Sequence, residues 1–222
     1  MKHILILCLL LSQPLSAAVY NLPAHLINIP IYREFNGGDI ITGISSAFST
    51  KETKSNFEFD ANINYAFNNR LIAGLTLVHE ESLVANIHYN LFSKLSSRFK
   101  IVGGITDITL NGQKTVSSRM HHPVTQETAI SPYLVSSLYT SLLNVHLGFG
   151  GGRFQFADEE DAFISSLKGL IFAFEIPFDH ASIGIEFDGK DFNLGGTFFV
   201  SKTTTIFTSL TELGRIDDTN PQ

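Results

Sequence analysis

An all-β fold built from successive antiparallel hairpins is predicted by three observations. Apolar and polar residues alternate with period two along much of the chain, turn-forming clusters separate the alternating segments, and helical periodicity is almost absent. The clearest segment runs from Asn56 to Phe67. Phe57, Phe59, Ala61, Ile63, Tyr65 and Phe67 fall on one side, and Asn56, Glu58, Asp60, Asn62 and Asn64 on the other, where only Ala66 is neutral. Successive side chains of a strand point to opposite faces, so this strand has one oily and one wet surface. From Phe57 to Phe67 the extended chain covers roughly 33 Å. A tilt of about 40° reduces that to about 25 Å, the height of the apolar band on a transmembrane β-barrel. Soluble strands usually run about 5–6 residues. The length therefore points to a bilayer.

The chain opens with what reads as a signal peptide over residues 1–18. Lys2 and His3 precede an apolar run from Ile4 to Leu11, and Ser16, Ala17 and Ala18 form a small-residue cleavage site. That run is too short to span a bilayer as a helix, and no later stretch approaches the necessary length of about 20 residues. Membrane insertion of the exported chain would have to use strands. Cys8 is the one cysteine and lies inside the run, so it is expected to leave with the signal. Disulfide and thiolate chemistry are then excluded from the mature chain.

Eleven strand candidates follow. A serine-rich first strand covers Asp39 to Ser49, and Asn56 to Phe67 is the second. Leu71 to His79 comes after the turn-forming Asn68, Asn69 and Arg70. Leu83 to Leu91 alternates again, with Asn86, His88 and Asn90 on its polar side. Phe99 to Ile108, Tyr133 to Leu142 and Leu143 to Gly152 follow, the last two joined by a very short turn. Leu167 to Ile176, Ser182 to Phe187, Phe192 to Val200 and Thr203 to Leu213 complete the set. Connections after the even strands are short, whereas both long ones, Leu110 to Ser131 and Phe156 to Ser166, follow odd strands. Outer-membrane barrels have short periplasmic turns and longer external loops, which would put residues 19–38 in the periplasm. Single-chain bacterial barrels normally have an even strand number. Either one candidate is not a strand, or Leu26 to Arg33 supplies a twelfth.

Removing Lys2 leaves 14 basic and 21 acidic residues, a net charge of −7. Such a balance excludes nucleic acid as a partner, because phosphate binding needs basic patches. In a lipid-exposed barrel the apolar faces point outward and the polar faces line the interior. Candidate lumen-lining residues are Glu58, Asp60, Asn62, Asn64, Asn86, His88, Asn90, Asn144, His146, Glu175 and Glu186. Glycines at 148, 150 and 152 would leave room for larger neighbours. In a soluble sandwich the same polar groups would face water and the apolar face would form the core. Phe57, Tyr65, Phe67, Tyr89, Phe99, Tyr133, Phe149, Phe187 and Phe198 lie on the apolar side near strand ends, as aromatic girdles do, although tryptophan is absent.

No catalytic, cofactor or metal site emerges. The acidic run from Asp158 to Asp161 offers oxygen ligands for divalent cations but lacks the spacing and turn glycine of a calcium loop. His121 and His122 are adjacent, so an extended chain points them apart. The run from Gly148 to Gly152 lacks the lysine and helix of a phosphate-binding loop. Ser82 and Ser182 have histidines nearby in sequence, His79 and His180, but no nucleophile-elbow pattern.

The hairpin-after-hairpin pattern from Asp39 to Leu213 resembles bacterial outer-membrane β-barrel proteins as a class. Ile183 to Val200, IGIEFDGKDFNLGGTFFV, looks like hairpins of outer-membrane proteins associated with exopolysaccharide secretion. The carboxy end departs from the class, which usually ends on an aromatic residue, whereas this chain runs on from Gly214 to Gln222. The resemblance implies an outer-membrane location in a Gram-negative-type bacterium. Its implied partners are outer-membrane lipid, lipopolysaccharide and the barrel-insertion machinery. The expected architecture is an antiparallel up-and-down transmembrane β-barrel of about ten to twelve strands over residues 39–213, with a tail over residues 214–222. The expected function is non-enzymatic, either structural and accessory or as a narrow solute channel. The alternatives are a soluble periplasmic or secreted β-sandwich or barrel that binds a ligand, and a lipid-modifying barrel enzyme.

Overall fold

The computed structural model describes residues 26, 29–49, 56–78, 82–91, 98–109, 130–155, 167, 169–189, 192–200 and 205–210. The signal and tail segments, the two histidines at 121 and 122, and the acidic run from Asp158 to Asp161 lie outside the described residues. Eleven strands form one antiparallel up-and-down sheet in chain order. They are β1 (Ile40–Ser49), β2 (Asn56–Ala66), β3 (Leu71–Val78), β4 (Ser82–Asn90), β5 (Phe99–Thr109), β6 (Ser131–Leu138), β7 (Asn144–Gly150), β8 (Leu170–Pro177), β9 (Ala181–Phe187), β10 (Phe192–Phe199) and β11 (Thr205–Leu210). Leu26 to Arg33 adds no twelfth ladder; among its described residues only Pro30 makes an isolated bridge. β1 and β11 run in the same direction, as an odd strand number requires. Each pairs on one side only among the described residues, so the ring is left unclosed there.

Local chemistry sets the short turns. Asn68 Oδ1 accepts from the N–H groups of Arg70 (2.8 Å) and Leu71 (3.0 Å), an Asx turn that reverses β2 into β3. The β6–β7 connection is longer than the alternation predicts, because β6 stops at Leu138. Thr140 Oγ1 accepts from the N–H groups of Leu142 and Leu143 and donates to Leu143 O, closing its own loop. β5 carries a bulge opposite Ala85 and Ile87. Asp107 takes a φ of 62° there, and the extra residue leaves both Thr106 and Asp107 buried. All the even-to-odd turns share one end of the sheet with the start of β1, and both long connections leave from the other end.

The two faces of the sheet have opposite polarity. Outward lie Ile63 (53% exposed), Leu147 (52%), Phe149 (67%), Ile183, Ile185 and Phe198. On the buried face lie Asn64, Asn90, His146, Glu175, Glu186 and Asn193, none more than 3% exposed. Among the described residues no helix covers that face; the sheet covers it by curling around Leu26, Ile29, Ile31 and their described neighbours before β1. The same short segment meets Asn90 on β4, Lys100 on β5, Tyr139 beyond β6, Glu175 on β8 and Glu186 on β9.

A small apolar core sits inside the curl. Leu26, Ile29 and Ile31 pack with Val102, Tyr133, Val135, Ile171 and Ala173 from β5, β6 and β8. Phe154, from the 3-10 turn Gly152–Gln155, enters the same cluster from the end opposite the short turns. Gly150 makes room for it, since a Cβ there would sit 2.3 Å from the Phe154 ring. Two aromatics depart from the girdle expected of them. Tyr133 is buried on the inner face, because β6 alternates inward at Ser131, Tyr133, Val135 and Ser137. Phe187 is fully covered by the rings of Phe172 (centroids 5.2 Å apart) and Phe192 (5.0 Å). Tyr65, Phe67, Tyr89, Phe149 and Phe198 are exposed on the apolar side. The side chain of Phe57 lies outside the description.

A Cβ at Gly148 would come within 2.3 Å of Leu134 O on the backbone of β6, which cannot swing aside. Gly148→Val should therefore cost about 1–3 kcal/mol from overpacking, measured by reversible urea unfolding. At Gly196 the nearest atom would be 3.5 Å away, so Gly196→Ala should shift stability by no more than about 0.5 kcal/mol.

Candidate functional site: the buried polar face and the segment against it

Nine of the eleven residues selected from the alternation come together on the buried face: Asn62, Asn64, Asn86, His88, Asn90, Asn144, His146, Glu175 and Glu186. Glu58 and Asp60 occupy β2 positions opposite Ala47 and Ser45 of β1, and their side chains lie outside the description. Away from water, each polar group needs a partner, and the sheet supplies partners across neighbouring strands.

The first group spans β2 to β5. Asn64 Nδ2 donates to Asn62 Oδ1 (2.9 Å) and Asn86 Nδ2 to Thr76 Oγ1 (3.1 Å). Thr106 Oγ1 lies 3.0 Å from Asn86 Oδ1 and 3.2 Å from Asp107 Oδ1. A hydroxyl carries one proton, so these two acceptors share it.

The second group centres on His88, whose tautomer follows from its neighbours. Asn90 Nδ2 donates to the backbone carbonyls of Arg33 (3.2 Å) and Asn69 (3.3 Å), which turns Asn90 Oδ1 toward His88 Nε2 at 3.2 Å. Nε2 therefore carries the proton, and Nδ1 accepts from the Tyr133 hydroxyl at 2.9 Å. The imidazole is fully engaged.

The third group lies on β6 to β8 beside the entering segment. Asn144 Nδ2 donates to Glu175 Oε2 at 2.8 Å, while Arg33 reaches Glu175 Oε1 at 3.8 Å. Ser137 Oγ stands 2.8 Å from His146 Nδ1, and His146 Nε2 is 3.9 Å from Glu175. A serine, a histidine and a carboxylate are thus adjacent, but the last gap is too long for a hydrogen bond. Ser137 is itself only 1% exposed, so a substrate would not reach it. The serines tested from sequence fare no better. Ser182 is buried while His180 sits in an exposed turn, and the side chain of Ser82 lies outside the description. Among the described residues no three His, Cys, Asp or Glu side chains gather as a metal requires.

The fourth group ties β9 to β10 and to the segment. Asn193 Nδ2 lies 3.2 Å from both Glu186 Oε1 and Asp188 Oδ2, and the Ile29 N–H points at Glu186 Oε2 from 3.4 Å. Near the short-turn end, the Tyr139 hydroxyl donates to Tyr32 O at 2.8 Å. The Lys100 ammonium lies 4.8 Å from the centre of the Tyr32 ring, a cation–π contact. Burial pushes the Tyr139 phenol well above the usual tyrosine range, against the opposing pull of the Arg33 charge.

Sequence reasoning missed several participants. Ser137 and Asn193 carried the same signal as the residues it found, being polar positions in phase with alternating strands. Lys100 shares its inward phase with Val102 and Gly104, so no run of polar residues marked it, and the bulge beyond Ile105 ends the pattern. Arg33 and Tyr32 precede the first strand and had no pattern to join. Searches of protein-family models, curated proteins and solved structures found no match to this chain.

Removing Glu175 leaves the buried Asn144 Nδ2 without its acceptor and breaks the pair with the part-exposed Arg33, so Glu175→Leu should destabilise by about 1–3 kcal/mol. Tyr139→Phe removes one donor and should cost about 0.5–1.5 kcal/mol at neutral pH. Because the folded state raises the phenol pKa, the contribution of Tyr139 is complete below the ordinary value of about 10. It fades as the pH climbs through the raised value. Urea titrations of the wild type and Tyr139→Phe at neutral and alkaline pH check both statements.

Proposed function

We propose that the protein is a non-enzymatic β-barrel of a bacterial outer membrane, structural or accessory, with a polar lumen narrowed by its own amino-terminal residues. The observation that carries this reading is the inverted polarity of the sheet. Ile63, Leu147, Phe149, Phe174 and Ile185 face outward, while Asn64, His146, Glu175 and Asn193 are buried. In water that arrangement forgoes about 25 cal/mol for every Å² of apolar surface left wet. In hydrocarbon the same outward face is solvated and the polar face must turn inward, as in transmembrane barrels. The longest strands, β1, β2 and β5, have 10, 11 and 11 residues, which suits a tilted crossing of about 9–11 residues. Short turns at one end and long connections at the other follow the periplasmic and external asymmetry of such barrels.

The partners this reading implies are the lipid and lipopolysaccharide covering the outward face and the machinery that inserts barrels. A barrel of eight strands is filled by side chains, and about sixteen strands leave an aqueous channel. Eleven strands enclosing Leu26, Ile29, Ile31 and Phe154 therefore favour a closed resting barrel over an open general pore.

The test uses Leu147, half-exposed at the middle of β7. If water covers it, Leu147→Arg changes stability by no more than about 0.5 kcal/mol. If lipid covers it, the cost near the midplane is about 2–4 kcal/mol. The membrane reading further expects detergent extraction from the outer-membrane fraction and a heat-modifiable band on gels. A detergent-free soluble monomer, unaffected by Leu147→Arg, would overturn it.

A further inference from the structure

We propose that Leu26 and residues 29–36 belong to a displaceable plug, and that their withdrawal opens a narrow, cation-preferring water path past Glu175 and Glu186. This rests on the barrel reading above and concerns the regulation of its interior. The segment is attached differently from the strands whose inner face it lies against. Each strand joins its neighbours through a continuous ladder, whereas the segment's described residues make one isolated bridge, at Pro30. Its other polar ties are single and separate: Ile29 N–H to Glu186, Tyr139 to Tyr32 O, Asn90 to Arg33 O, and Arg33 to Glu175. Leu26, Ile29 and Ile31 add apolar packing against the wall and Phe154.

Three of the wall groups that grip the segment also have partners within the wall. Glu175 keeps Asn144, Glu186 keeps Asn193, and Asn90 keeps Asn69 O and His88. Departure of the segment thus leaves these groups hydrogen-bonded in a standing wall, so two arrangements of the interior are physically available. A hinge lies where the segment leaves the barrel. Gly38, next to Gly37 at the short-turn rim, has a φ of 94° and open space where a Cβ would stand, while its N–H donates to Ala66 O at 2.7 Å and fixes the rim end to β2. The charge of the exposed wall sets what would pass. Asp107, Glu175 and Glu186 outnumber Lys100 among the described buried charges, and withdrawal also removes Arg33.

Planar-bilayer recordings in KCl test the proposal with four proteins refolded in detergent. Wild type should be silent or show rare brief openings. Ile29→Asp with Ile31→Asp, which makes seating of the plug unfavourable, should raise open probability at least tenfold. Its reversal potential across a KCl gradient should favour K⁺, and adding Glu175→Gln and Glu186→Gln should reduce that preference. Leu26→Cys with Gly184→Cys, in a Cys8→Ser background, should be silent when oxidised and regain the wild-type openings when reduced. The Leu26 Cδ2 methyl lies 3.1 Å from where a Gly184 Cβ would stand, so the two side chains point at each other. Heat-modifiable plug variants as silent as wild type would overturn the proposal, as would anion preference or openings that persist in the oxidised lock. Loss of heat-modifiability in the wild type would instead remove the barrel reading itself.

Discussion

Everything inside this protein depends on one constraint: period-two alternation sends a full set of amide, imidazole and carboxylate groups to a face without free access to water. A strand cannot turn one inward group outward without slipping its register, and a slip of one residue reverses both faces together. The groups must therefore satisfy one another. The interior is assembled from short cross-strand bonds, such as Asn86 to Thr76 and Asn144 to Glu175, which complete the ladders that position them.

The apolar cluster at Leu26, Ile29, Ile31 and Phe154 is a local exception within that polar face. It occupies the stretch of wall where Val102, Val135, Ile171 and Ala173 supply no hydrogen bonds. Polar and apolar parts of the wall thus divide the labour. One holds the strands in register, and the other accepts a segment that brings its own apolar side chains and uses its backbone to meet Glu186, Asn90 and Tyr139.

Most of the sheet was legible in the sequence because strand periodicity is a local property. Asn56 to Phe67, Leu83 to Leu91 and Ser182 to Phe187 announce their faces residue by residue, and the structure keeps their bounds to within one residue. What escaped is non-local. Tyr133 looked like an outward aromatic until its phase with Val135 and Ser137 and its bond to His88 placed it inside. Tyr139 looked like strand, yet its hydroxyl is committed to Tyr32, 107 positions away. The bulge put Asp107 out of phase with the strand, and Thr106 follows the apolar Val102 and Gly104 on its own face. Leu26 to Arg33 could be read only as a possible twelfth strand, so their place inside the sheet could not be read from their order.

The bond between Ile29 and Glu186 joins positions 157 residues apart. That separation has a consequence for how the molecule is made. Residues synthesised near the start remain without their final surroundings until β9, close to the end of the sheet, has been laid down. Contacts of such sequence separation are slow to form, because the chain loses loop entropy before they give anything back. The interior is therefore completed late, and the curling sheet must gather in a piece of chain that has waited through nearly the whole of its own synthesis.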